Sequence, residues 1–370
     1  MKIKKGNPVD ETTCFAPCDQ RERSDTQGQL ILTFVKKESG EERLEQVEEE
    51  LSQEGLSRGP FYSCPCWFSE VSKSVEKWWK QESIEAYHPQ TDLGALRTLT
   101  LREGVRTEDK MVVLTVSGNP DFILNRTQIE GFKQAVFTSI STKRLSLFLR
   151  IQRTEQSKDK TFYEIHLSGP DCLTDHLRIR ERSLISMISP GSFFHSHLLE
   201  AEKWYEKGLT LAEPKSTDTV LDLYAGTGIF SLVFAPYVQT VIAIEKSPYP
   251  LCDAERMIKE NSLLNVFLMK GSVESEIGCL KGPIDLAILN LPRCGMTAHA
   301  LYSLLDLFPK KVLYFSSHGT KEEDKGILNL EKGGYRLKTF ELVDPFFYGD
   351  RLKNIAVLEK REIRYTQKNR

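Results

Sequence analysis

The chain has 370 residues, 40% of them hydrophobic and 28% charged, with a formal net charge of −2. That length accommodates two or three ordinary domains. The charge balance excludes nucleic-acid binding driven by bulk charge, so any RNA-binding face must be a local patch.

Residues 1–60 read as a small polar N-terminal segment. Its start, Met1-Lys-Ile-Lys-Lys5, leads into polar residues rather than an apolar signal core. No run reaches the ~18 apolar residues of a membrane span. A cytoplasmic location is therefore expected, with the scattered cysteines reduced. One strand-like run, Leu30–Val35, precedes an acidic stretch from Glu41 to Glu54 whose composition favours helix.

Gly59-Pro60 marks a break. A central α+β domain is taken as residues 61–182. It opens on Cys64-Pro-Cys66 and an amphipathic helix from about Glu70 to Ser83 that carries Trp78 and Trp79. Short β-type runs follow at Leu96–Leu101, Met111–Val116, Leu145–Ile151 and Phe162–Leu167, with a helix at about Asn125–Thr142. Their alternation predicts an antiparallel sheet.

From Ser183 the pattern becomes strand–helix–strand, and residues 183–370 are taken as one domain. A helix at Ser196–Glu213 precedes strands at Val220–Tyr224, Thr240–Ile244, Val266–Lys270, Asp285–Asn290, Lys311–Ser316, Arg336–Val343 and Asn354–Glu359. The last two strands are joined without a helix. The expected fold class is α/β: a Rossmann-like, mostly parallel doubly wound sheet with an antiparallel edge strand, beside the smaller central α+β domain.

Val220-Leu-Asp-Leu-Tyr-Ala-Gly-Thr-Gly-Ile-Phe230 reads as strand, glycine turn and helix start. Gly226 and Gly228 can adopt positive φ and admit a ligand to the backbone. Asp222 and Tyr224 lie at the strand's carboxyl end, where open α/β sheets bind ligands. Glu245 ends the next strand, where a carboxylate can accept hydrogen bonds from ribose hydroxyls. Position 231 is Ser rather than a third glycine, which favours a nucleoside without a pyrophosphate.

Several further segments carry a resemblance to the RNA uracil-5-methyltransferases of tRNA and 23S rRNA. Ile188-Ser-Pro-Gly-Ser-Phe-Phe194 resembles the family's "ISPGSFFQVN". Asn261-Ser-Leu-Leu-Asn-Val266 resembles "NAxxNGLxNV", and Asn290-Leu-Pro-Arg-Cys-Gly295 resembles "DPPRxG". Val312-Leu-Tyr-Phe-Ser-Ser-His318 resembles "IVYVSCNP". The resemblance implies a class I methyltransferase domain using S-adenosyl-L-methionine, with RNA as partner, and no obligate protein partner is inferred. It implies cofactor contacts from Phe194, His195, Asp222, Tyr224, Gly226, Gly228, Glu245 and Asn290. It also implies a reaction in which a cysteine thiolate adds to C6 of uridine and a glutamate later removes the C5 proton.

The departures fall on the reacting groups. Ser317 stands at the nucleophile position and is followed by His318, and a gapless count from Asp344 puts Lys353 where the base belongs. A serine hydroxyl needs a dedicated base to act near neutral pH. The catalytic candidates are therefore Ser317, Cys294 as a relocated nucleophile, His318 as a base, and Arg293 facing the target base. Cys294 also has a plain reading as a small residue at a variable position, and His318 as pocket lining. The alternative to an active enzyme is an inactive RNA- or partner-binding protein that retains the fold.

His195 and His197, two apart without a third ligand, do not make a metal site. Cys64 and Cys66 fall where the 23S rRNA branch begins an iron–sulfur segment, but their spacing lacks its Cys-x5-Cys-x2-Cys pattern. Cys14 and Cys18 lie far upstream, so the cluster is expected to be lost. Lys143, Arg144, Arg150, Arg153, Arg178, Arg180, Arg182 and the tail from Lys360 to Arg370 give local positive charge that can contact RNA phosphates, with a solvated surface as the plain reading.

Overall fold

The structure is a computed structural model that describes residues 29–36, 42–46, 65–142, 144–153, 162–193, 198–291, 295–316, 324–343 and 353–361. They form two compact units that divide between Leu173 and Thr174.

The first unit is built on six strands: β1 (Gln29–Lys36), β2 (Glu42–Gln46), β3 (Leu96–Glu103), β4 (Lys110–Ser117), β5 (Leu145–Gln152) and β6 (Phe162–Ser168). Their order is β2-β1-β3-β4-β5-β6. The acidic stretch expected to favour helix begins instead with β2, which pairs antiparallel with β1 from Leu32↔Gln46 to Lys36↔Glu42. A cross-strand partner overrides weak local propensity.

Two helices, α1 (Cys66–Glu82) and α2 (Arg126–Ser139), complete this unit. Asn125 caps α2 in a reciprocal box with Gln128. Because α2 links β4 to β5, those two strands run parallel; a helical crossover returns the chain in the same direction. The sheet is therefore not wholly antiparallel. Trp78 and Trp79 are 4% and 0% exposed and pack in the core; Trp78 lies 5.5 Å from Phe132, and the indole N–H of Trp79 donates to the Ile84 carbonyl.

The second unit opens with a two-stranded hairpin, β7 (Leu173–Ile179) and β8 (Arg182–Ile188), followed by α3 (Leu198–Ala212). Then come β9 (Thr219–Leu223), α4 (Ile229–Phe234), β10 (Thr240–Glu245), α5 (Pro248–Glu260), β11 (Val266–Lys270), α6 (Val273–Glu276) and β12 (Leu286–Asn290). The unit closes with α7 (Ala298–Leu307), β13 (Lys311–Ser316), α8 (Lys325–Lys332), β14 (Tyr335–Val343) and β15 (Lys353–Lys360). The sheet order is β11-β10-β9-β12-β13-β15-β14.

The first five strands of that order are mutually parallel, and β15 is antiparallel to both β13 and β14. The fold is the expected doubly wound α/β class. The reversed strand lies one place in from the edge, and β14 takes the outer position. Strand order reverses between β9 and β12, which opens a crevice at the carboxyl edge there.

Candidate functional site

The turn after β9 is set by three left-handed residues: Tyr224 at φ 58°, Gly226 at 59° and Gly228 at 77°. A bulky residue is strained in this region, and such strain persists only where surroundings enforce it. The two glycines play different parts. A Cβ on Gly226 would meet no atom within 4 Å, so this glycine borders open space. A Cβ on Gly228 would lie 3.3 Å from the Ala254 Cβ, so this one lets α5 approach the loop.

Asp222 lies at the switch point, paired in register with Ala243 on one side and Ile288 on the other. Its carboxylate is fully buried. One oxygen accepts from the Ser231 N–H at 3.0 Å and from the Ser231 hydroxyl at 2.7 Å. The other, Oδ1, is buried without a hydrogen-bond partner. Burial pushes this carboxyl up to about 7, against the two Ser231 bonds, and the Glu245 charge adds to the rise. Ser231, where a third glycine was absent, thus holds the carboxylate of Asp222.

Glu245 ties the first loop to the second. Its Oε2 accepts from the Gly226 N–H at 2.9 Å, and its Oε1 accepts from the N–H groups of Lys246 and Ser247 at 2.9 and 2.7 Å. A carboxylate offers about four acceptor positions, so about one remains, on Oε2 beside Gly226.

Tyr224 reaches toward α6, where its hydroxyl donates to Glu274 at 3.4 Å. Thr297, the N-cap of α7, donates to the same Glu274 oxygen at 2.8 Å. Backbone and hydroxyl donors hold the Glu274 carboxyl below its ordinary value, against a smaller rise from desolvation. Asn290 is the last residue of β12, half-buried, in register with Phe315 of β13. Asp222, Tyr224, Gly226, Glu245 and Asn290 therefore share one edge of one sheet.

Phe194, His195, Arg293, Cys294, Ser317 and His318 lie outside the described residues, as do His197, Cys14, Cys18 and Cys64. Among the described residues no group of three or more His, Cys, Asp and Glu side chains is placed to hold a metal ion. The flanks of the Ser317 segment are fixed. The hydroxyl of Tyr314 donates to Asp324 at 2.9 Å, and Asp324 caps α8 by accepting from Gly326.

Asp253 is a buried acid that the sequence pattern did not flag. This fully buried α5 carboxylate accepts from the Ser189 N–H and hydroxyl, both at 2.9 Å. It holds the Ser189–Ser192 turn that begins the "SPGSFF" run. The available signal was an acid on the apolar side of a helix, beside Leu251, Ala254 and Met257. Asn261 acts in parallel: its amide accepts from the Ile185 N–H and donates to the Ile185 carbonyl, both at 2.8 Å, as a strand neighbour would.

The profile of the tRNA (Uracil-5-)-methyltransferase family matches residues 129–361. The chain is 38% identical over 305 residues to an uncharacterised RNA methyltransferase of Protochlamydia amoebophila, covering 79% of this chain and 69% of that one. It is 29% identical over 365 residues to an uncharacterised RNA methyltransferase of Chlamydia pneumoniae, covering 95% and 88%. In fold it is similar to the Pyrococcus abyssi tRNA (uracil-54, C5)-methyltransferase solved with S-adenosyl-L-homocysteine, with TM-score 0.64 and 18% identity over 91% of this chain and 77% of that one.

Proposed function

This chain belongs to the tRNA (uracil-5-)-methyltransferase family, and from that premise we propose that it binds S-adenosyl-L-methionine at the carboxyl edge of β9 and β10 and acts on an RNA. One observation carries the cofactor half. The buried Asp222 Oδ1 has no partner and lies at the base of the loop whose Gly226 borders open space. A cationic ammonium is the group such an oxygen fits. The remaining acceptor position of Glu245 suits one ribose hydroxyl. Phe194, His195, Tyr224, Gly228 and Asn290 complete the proposed cofactor set, with Gly228 acting through its packing on Ala254. When bound, this cofactor supplies an electrophilic methyl group.

On the RNA side, Ser317, His318, Cys294 and Arg293 are the proposed reacting and positioning groups. Ser317 and Lys353 replace the thiol and the carboxylate that the family chemistry uses. The proposed enzyme therefore works either through Cys294 or by direct attack of an already nucleophilic atom. The same replacements favour a second reading, a non-catalytic RNA-binding protein that retains the fold. We also propose that no iron–sulfur cluster is held, because the cysteine spacing at 64 and 66 does not suit one.

The test is transfer of labelled methyl from S-adenosyl-L-methionine to total RNA from a strain lacking this gene. Incorporation, with nucleoside analysis of the product, supports the enzyme. Cofactor binding without incorporation overturns the enzyme in favour of the second reading. Loss of incorporation in Cys294→Ala assigns the nucleophile.

A further inference from the structure

The basic residues singled out from sequence are not equivalent once their neighbours are known. Arg144 pairs with Asp109, and Arg150 pairs with Glu164 on the adjacent strand. Their charge is neutralised locally. Arg178, Arg180 and Arg182, at and beside the β7–β8 turn, are all exposed, and none is paired to a carboxylate among the described residues.

Glu181, exposed in the turn between Arg180 and Arg182, forms no ion pair with them among the described residues, and the two nearby acids of α3 are engaged by backbone. Glu202 and Glu206 of α3 accept hydrogen bonds from the backbone N–H groups of Arg178 and Arg180. The spacing matches: four residues cover about 6 Å along a helix and two cover about 6.6 Å along a strand. The helix thus satisfies the free edge of β7 and leaves the guanidinium groups unneutralised.

The guanidinium groups are also held. Those of Arg180 and Arg182 lie 5.0 and 5.7 Å from the centroid of one ring, Tyr237. Cation–π attraction at this range fixes two long side chains that would otherwise be mobile. Arg180 occupies the turn at φ 52°. A non-glycine residue there costs about 1 kcal/mol or more, yet the position carries neither Gly nor Asn.

We propose that the β7–β8 turn is a phosphate-binding site for the RNA backbone, formed by Arg180 and Arg182 on the Tyr237 ring with Arg178 beside them. Planar, weakly hydrated guanidinium groups present paired N–H donors that match two phosphate oxygens. Such binding is independent of sequence and orients the substrate without reading it. It rests on the RNA reading above and adds a location to it.

The experiment measures binding of labelled bulk tRNA across a salt series for wild type, Arg180→Gln/Arg182→Gln and Arg180→Lys/Arg182→Lys, with S-adenosyl-L-methionine binding measured on each. The Gln pair is expected to weaken RNA binding at low salt at least tenfold. It should flatten the log–log salt slope by about 0.7 for each phosphate that the protein no longer neutralises, with cofactor affinity and thermal stability unchanged. The Lys pair should keep most of the slope and lose part of the affinity. An unchanged slope in the Gln pair, with wild type binding RNA, overturns the site and leaves the RNA reading standing. Absence of RNA binding by wild type overturns both.

Discussion

Phe230 of α4 and Phe315 of β13 pack with ring centroids 4.5 Å apart. One lies two residues past the glycine loop, and the other two residues before Ser317. Trp204 of α3 closes on Phe315 at 4.7 Å and on Phe230 at 5.9 Å. A single aromatic core therefore ties the start of α4 to the end of β13.

Gly208 of α3 gives this core its room. An added Cβ would lie 2.7 Å from the Phe315 Cζ. Helix propensity alone would make Gly208→Ala stabilising by about 1 kcal/mol. The clash is expected to win, with a net loss of about 1–3 kcal/mol in urea unfolding. Phe315→Leu in the same chain should recover part of the loss. A more stable Gly208→Ala would show that α3 shifts freely.

Asp253→Ala leaves the Ser189 N–H and hydroxyl without their acceptor. A loss of about 2–3 kcal/mol is expected. Because Ser189 begins the run leading to Phe194, cofactor affinity should fall as well. Full affinity in the variant would confine Asp253 to a packing role.

Asp222 makes stability depend on pH. Burial raises its folded-state carboxyl to about 7, above the unfolded value of about 3.9. The folded protein therefore holds a proton that the unfolded chain releases. This contribution is complete below about pH 4 and is lost as pH rises toward 7, at no more than about 1.4 kcal/mol per pH unit. Desolvation also raises Asp253, with the same sign. Asp222→Asn should flatten the stability profile between pH 4 and 7, read by denaturant midpoints.

The same group predicts the pH dependence of cofactor binding. A cationic ligand against Asp222 needs the ionised form. S-adenosyl-L-methionine affinity should fall below about pH 7, by up to about tenfold per unit, with proton release visible in buffers of different ionisation enthalpy. Asp222→Asn should bind weakly at every pH. A flat profile in wild type would remove Asp222 from the cofactor contacts.

Glu245→Ala unties Gly226 and removes the acceptor offered to a ribose. Loss of charge-assisted hydrogen bonds of this kind costs about 1.5–3 kcal/mol, or roughly 10- to 100-fold in cofactor affinity by calorimetry. An affinity unchanged in Glu245→Ala would place the ribose elsewhere.

Much of the second unit was legible because its strands are short apolar runs separated by helical periodicity. Val266–Lys270 and Lys311–Ser316 read from sequence with the observed bounds. The β7–β8 hairpin did not read as a unit, because much of its edge bonding comes from side chains distant in sequence: Glu202, Glu206 and Asn261. The parallel pairing of β4 with β5 was missed because strand alternation carries no direction; the crossover α2 did. In the site, glycines and terminal acids announced the loop, as turn chemistry does. Asp253 did not stand out, because its partner Ser189 lies 64 residues away and local pattern cannot report such a pair.

The placement of β15 bears on how this unit is assembled. Among the described residues β14 has β15 as its only neighbour in the sheet, and β13 bonds β15 on its outer side. A ribosome that has released β14 has thus released a strand with nowhere to pair. The sheet closes only when residues 353–360 arrive to bond β13 on one side and β14 on the other. Five parallel strands can zip in order of synthesis, but the last step is an insertion. A chain cut between β14 and β15 forfeits an interior strand and leaves two raw edges that favour aggregation.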